Sequence, residues 1–167
     1  ETFRLRCSTE MLILARRFLG TVSVVEDGTT LEATDVAAEA GADAVKFQTF
    51  DAAQLVTRRA AKAAYQARNT GADDGQLDML RRLELDRDAH CALARAAEAR
   101  GVRFMSTAFD MDSLDLLAGL DMPAVKIPSG DLTWGPMLLK AARLGLPLIV
   151  STGMATLEEI GEALQVI

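Results

Sequence analysis

A chain of 167 residues, half of them hydrophobic, is long enough to bury one core and too apolar to stay disordered. Its net charge of −6 argues against a nucleic-acid surface, while leaving room for a small anion held by a few local cations. Cys7 and Cys91 form no CxxC motif and the apolar run MLILA is too short to cross a membrane, so a reducing, cytoplasmic setting without a membrane or nucleic-acid partner is expected.

Residues 1–20 match no recognisable element. The run TVSVVE (21–26) reads as a first buried strand, followed by a helix from about Leu31 to Ala40 that Gly41 stops. DAVKFQ (43–48) reads as a second strand. After it, residues 51–75 look like a long insertion, and GQLDMLRRLEL reads as a helix. An amphipathic helix from about Arg87 to Arg100 ends at Gly101, a natural left-handed cap. VRFMST (102–107) is the third strand, with a helix after Asp110. PAVKIP (123–128) is the fourth, with a helix that starts near Pro136, a favoured first-turn residue, and ends at Gly145. PLIVST (147–152) is the fifth. The last helix opens with TLEE, where Thr156 and Glu159 have capping-box spacing. The chain begins with Glu1 and stops inside this helix, so a fragment is expected.

Strands alternating with helices predict βα units and a parallel sheet. The last three strands recur roughly every 22 to 24 residues, which suits a (β/α) barrel as well as a doubly wound sheet. No GxGxxG or GxxxxGK[ST] occurs, so a nucleotide loop has no support.

Polar residues inside these strands carry the functional signal. Side chains alternate between faces along a strand. In DAVKFQ, Val45 and Phe47 share one face, and Lys46 and Gln48 the other. In PAVKIPSGD, Val125 and Ile127 share a face, and Lys126 points away, with Ser129 at the strand end. Hydroxyl pairs follow two further apolar runs: Ser106 with Thr107, and Ser151 with Thr152. A buried lysine is costly without a partner. Ligands of α/β folds bind at the carboxyl ends of strands, and ammonium and hydroxyl groups suit phosphate or carboxylate. The set predicts a site for an anion with more than one negative group. Each member also has a bland reading. A lone buried lysine can pair with a structural carboxylate, and Thr107 or Ser151 alone reads as a helix cap. His90, the sole histidine, reads as a solvated helix position; Met105 and Met154 read as core. Trp134 reads as lining a pocket or covering the sheet edge.

The ordered run AAEAGADAVKFQTF, AYQ, QLDMLRRLEL, GVRFMSTAFD, PAVKIPSGDLT and PLIVSTGMATLEEI resembles the sialic acid synthase family, over about residues 36–167. That family includes N-acetylneuraminate synthase and its relatives for legionaminic and pseudaminic acids. The resemblance implies an α/β fold of the (β/α) TIM-barrel type, here incomplete with about five of eight βα units, over residues 21–167. It implies condensation of phosphoenolpyruvate with an N-acyl amino sugar, typically N-acetylmannosamine, to a nine-carbon 2-keto acid. It implies a divalent metal, Mn or Mg, whose ligands come from later strands absent from this chain. By motif, Lys46 and Gln48 correspond to ligands of the phosphoenolpyruvate carboxylate region, Thr107 and Phe109 to pocket residues, and Lys126, Ser129 and Ser151 to the phosphate set. Glu26 of SVVEDG stands where the family has a catalytic glutamate, without the Asn-His-Asn-Gly-like turn that follows it there. A homo-oligomer or a complementing chain is the expected protein partner. The alternatives are another phosphoenolpyruvate–aldose condensing synthase, or an incomplete barrel that only binds phosphoenolpyruvate or phosphate.

Overall fold

Residues 30–57, 60 and 75–167 are described by the structure, a computed structural model. The strand predicted at 21–26, with Glu26 in it, lies outside the described residues, as do residues 1–20 and most of the predicted insertion. The elements are α1 (Thr30–Glu39), β1 (Ala44–Thr49), α2 (Ala52–Leu55), α3 (Gln76–Arg81), α4 (Arg87–Ala99), β2 (Arg103–Ala108), α5 (Met111–Ala118), β3 (Val125–Ile127), a 3-10 turn (Ser129–Asp131), α6 (Gly135–Ala142), β4 (Leu148–Val150) and α7 (Leu157–Val166).

Local signals set these boundaries. Asp86 caps α4 by accepting from the Ala89 amide, and Asp110 caps α5 by accepting from the Ser113 amide. Thr156 and Glu159 form the reciprocal capping box at α7. Gly101 takes a φ of +72°, a left-handed conformation that lets the chain leave α4 and enter β2 with three residues between them.

All strand pairs are parallel, and their spatial order is their chain order, β1-β2-β3-β4. That order decides between the two architectures left open by the spacing. A doubly wound sheet reverses direction and places helices on both faces. A sheet that always steps the same way, with right-handed crossovers, collects its helices on one face and curls into a barrel wall. The core agrees. Val45, Phe47, Phe104, Ala108, Val125 and Ile127 are buried with Leu93, Leu114, Leu117 and Leu138 from the helices. Phe47 stacks on Phe104 with ring centroids 5.7 Å apart. On the opposite face, Ala44, Met105 and Ala124 form a small separate cluster with Ile149 against it.

Two core readings differ. Met105 is core, but Met154 is 79 % exposed, because it lies in the turn between β4 and α7 rather than in either element. His90 is fully buried rather than solvated. It stands in the first turn of α4, on the stripe shared with the buried Leu93 and Ala97.

Candidate anion site at the strand ends

The strand register assembles the site. Gln48 pairs with Thr107, and Thr107 pairs with Lys126, which pairs with Ile149. Residues aligned across a sheet share a face. One row therefore presents an amide, a hydroxyl and an ammonium side by side, about 4.8 Å per strand step. Lys46 stands on the same face, two residues back toward the start of β1. The row sits at the carboxyl ends of β1, β2 and β3. Lys46 and Thr107 are buried, Lys126 is 9 % exposed, and Gln48 is half-buried. Below them the Ala44, Met105 and Ala124 cluster makes an apolar floor.

Electrostatics favours an anion here. The chain as a whole is acidic, yet this face buries two lysines, Lys46 on β1 and Lys126 on β3, on either side of β2. Lys126 Nζ donates to the Ile127 carbonyl at 3.4 Å, a long contact for a hydrogen bond. Thr107 Oγ1 is buried without a hydrogen-bond partner among the described residues. Buried polar atoms are nearly always paired, so such an atom at the row's centre marks a position where a ligand oxygen would complete the set.

The other predicted residues fall around this row. Ser129 opens the 3-10 turn one residue past β3, after Pro128, and Ser151 follows β4, its amide donating to the Ile127 carbonyl; both are half-buried. The capping reading of Thr107 and Ser151 fails, because Asp110 and Thr156 cap the helices that follow. Phe109 lies beyond the row. It meets Phe50 edge to face at 6.4 Å and packs on a second small core with Leu77, Met79 and Leu80. Ser106 is not part of the site face: the alternation that brings Thr107 forward sends Ser106 back among the helices. Glu26 lies outside the described residues.

Sequence reasoning missed Asp131. Its Oδ2 atom is buried without a partner among the described residues, in the turn just after Ser129, and burial raises its carboxyl above the usual range. The signal was present as an acidic residue at the strand end in KIPSGD. A depression of about 420 Å³ near Phe50 lies elsewhere. It is lined by Asp51, Glu84 and Asp86 against Arg81, an acidic balance unsuited to an anion.

Sequence reasoning also missed a polar string behind the sheet. Thr49 Oγ1 lies 2.6 Å from His90 Nε2 and 2.7 Å from Ser106 Oγ, and His90 Nδ1 lies 2.7 Å from the Asp86 carbonyl oxygen. A carbonyl can only accept, so Nδ1 carries the proton and Nε2 accepts from Thr49. Burial lowers the imidazole's tendency to take a second proton, against the smaller opposing pull of the Asp86 carbonyl and carboxylate. The unfolded chain takes that proton near the ordinary 6.5, the folded chain only at lower pH. His90 therefore contributes stability that is complete above 6.5 and is lost as pH falls below it, at up to about 1.4 kcal/mol per pH unit. Asp131 acts in the opposite sense, its raised carboxyl making the folded chain the better proton binder in acid. Urea midpoints between pH 8 and 5 should fall for the wild type, and His90→Leu should remove that slope. An equal slope in the variant would assign the effect to other groups.

Comparison with known proteins places this geometry in context. A family model described as the NeuB family matches residues 33–167. The N,N'-diacetyllegionaminic acid synthase of Campylobacter jejuni is 47% identical over 133 residues, which is 80% of this chain and 40% of the relative. The protein of the same name from Legionella pneumophila is 46% identical over 131 residues, 78% of this chain and 37% of the relative. The crystal structure of N-acetylneuraminic acid synthetase from Leptospira borgpetersenii, in complex with citrate, superposes with a TM-score of 0.69 at 26% identity. That superposition covers 82% of this chain and 43% of the other. This chain thus spans about two fifths of the length of the proteins it matches.

Proposed function

Because this chain belongs to the NeuB family, we propose that it forms the phosphoenolpyruvate-holding part of a synthase of the sialic and legionaminic acid type, a transferase that makes a carbon–carbon bond. The observation that carries this reading is the in-register row Gln48, Thr107, Lys126, with Lys46 beside it, buried at the carboxyl ends of three parallel strands. Phosphoenolpyruvate has a carboxylate at one end and a phosphate at the other, so it needs two separated cationic positions rather than one. Lys46 and Gln48 suit the carboxylate. Lys126, Ser129 and Ser151 suit the phosphate, with Thr107 and Phe109 completing the pocket and Glu26 as the catalytic carboxylate.

In the proposed reaction, C3 of phosphoenolpyruvate attacks the aldehyde carbon of an open-chain N-acyl amino sugar, N-acetylmannosamine or a relative. Water adds at C2, and phosphate leaves to give a nine-carbon 2-keto acid. Among the described residues, no group of three or more His, Cys, Asp and Glu side chains is placed to hold a metal ion. In this reading the divalent metal, Mn or Mg, would be held by residues of later strands. This chain alone is expected to bind the anion with weak or no turnover. A homo-oligomer or a complementing chain would supply the rest. No helix among the described residues is long and apolar enough to cross a membrane, and a cytoplasmic setting is part of the proposal.

Trp134, the only tryptophan, packs against the core three residues past Asp131 and supplies the probe. Titration of the chain with phosphoenolpyruvate should change its fluorescence saturably. A flat titration by a folded, monodisperse chain would overturn the proposed anion site. If binding holds, product analysis with N-acyl sugars and with sugar phosphates separates this branch from other phosphoenolpyruvate–aldose synthases.

A further inference from the structure

We propose that His90 is a positioning residue for the anion site: from behind the sheet, through Thr49 and Ser106, it sets where Gln48 and Thr107 stand at the front. The inference rests on the anion-site reading above. Its own basis is the polar string and the way each of its members neighbours a site residue.

Thr49 and Ser106 are not directly paired; the register pairs Phe47 with Ser106 and Thr49 with Ala108. Their hydroxyls meet on the diagonal, at 2.7 Å, and tie the last residue of β1 to the middle of β2. His90 then ties Thr49 to α4, since its ring also donates to the Asp86 carbonyl at the helix start. Each hydroxyl has one proton, and the order of donation follows. Ser106 donates to Thr49, Thr49 donates to His90 Nε2, and His90 Nδ1 donates to Asp86. All three side chains are at most 3 % exposed. The ring is fixed from the side as well, edge to face on Phe104 at 6.4 Å. A purely apolar residue at each position would fill this space with no desolvation cost. What the polar string adds is direction: a hydrogen bond weakens steeply with angle, so it restricts the roll of β1 against β2 in a way that apolar packing does not. Thr49 follows Gln48, and Ser106 precedes Thr107. A small roll of either strand end swings the front-facing group by a comparable distance, and ligand geometry is sensitive at that scale.

The test separates hydroxyl from volume at Thr49. Thr49→Val keeps the shape and cuts the string; Thr49→Ser keeps the string and loses a methyl. Phosphoenolpyruvate affinity should fall about tenfold in Thr49→Val and stay within about twofold of wild type in Thr49→Ser. The Gln48 side-chain amide and Thr107 backbone amide NMR signals should move in the valine variant only. His90 is the sole histidine, so its ring nitrogen signals report directly whether Nε2 still accepts a hydrogen bond. A packing role predicts the reverse order, with serine the more damaging change, and that result overturns the proposal. Unmoved Gln48 and Thr107 signals in Thr49→Val overturn it as well. If the wild type binds no phosphoenolpyruvate, the anion-site reading fails, and the NMR arm alone decides the positioning claim. Should Thr49→Val not fold, His90→Gln against His90→Leu decides in the same way, because only the glutamine offers Thr49 an acceptor.

Discussion

Lys126→Ala should lower phosphoenolpyruvate affinity by roughly 100-fold or more while the chain still folds. Lys126 is the cation in the row with Thr107 and Gln48, and it is buried rather than solvated. Truncating one partner of a buried, hydrogen-bonded charge pair costs about 2–5 kcal/mol, against less than about 1 for an exposed pair. The low end of that range is already about 30-fold in affinity. Lys126→Arg should recover part of the loss, since charge is kept but a planar fork replaces a compact ammonium. The measurement is the same fluorescence titration, with circular dichroism to confirm folding. A lysine that merely braced the fold would give the opposite pattern: a lower unfolding midpoint and little change in affinity. That outcome would remove Lys126 from the site.

Asp110→Ala should destabilise the chain by about 3–5 kcal/mol. Its carboxylate is 3 % exposed and accepts three hydrogen bonds: from the Ser113 amide at 2.7 Å, the Ser113 hydroxyl at 2.7 Å and the Asp51 amide at 2.9 Å. The first is the cap of α5, worth about 1–2 kcal/mol. The other two donors would be left without a partner, at about 1–3 kcal/mol each where water cannot reach them. Alanine also unties the segment after β1 from the segment after β2, since Asp51 and Asp110 each stand two residues past those strands. Asp110→Asn should be milder, because its oxygen can still cap Ser113 while its NH₂ group faces the Asp51 amide. Urea unfolding of both variants checks the order. A loss below about 1 kcal/mol for alanine would mean that the strand ends are held by other contacts.

The site face was legible because a period-two pattern is explicit in sequence. Lys46 and Gln48, with Val45 and Phe47 between and before them, announce two faces without any knowledge of the partner strand. Lys126 between Val125 and Ile127 does the same. The barrel-like order of the strands was not legible from that pattern, since spacing alone fits two architectures; the sialic acid synthase resemblance chose the barrel, and the unbroken order β1-β2-β3-β4 supports it. Ser106 and Thr107 were grouped as one hydroxyl pair, yet adjacent strand residues must part company, and only Thr107 reaches the row. His90 was misread for a related reason. Its helix is amphipathic, but a histidine's polarity hides its burial until the acceptor and donor across the interface are known, and Thr49 is 41 residues away in sequence. Asp131 escaped because a carboxylate in a turn ordinarily faces water.

The pairing of Gln48 with Thr107 and of Thr107 with Lys126 carries a further consequence for how this family can change over time. Losing or gaining one residue within β1 would exchange its two faces, turning Lys46 toward the stacked Phe104 ring and Val45 toward the proposed anion site. Such a change spoils the core and the site in one step, with no halfway form for selection to improve. On this argument a change of length is tolerated between strands rather than within them, and the strands themselves can vary only by substitution.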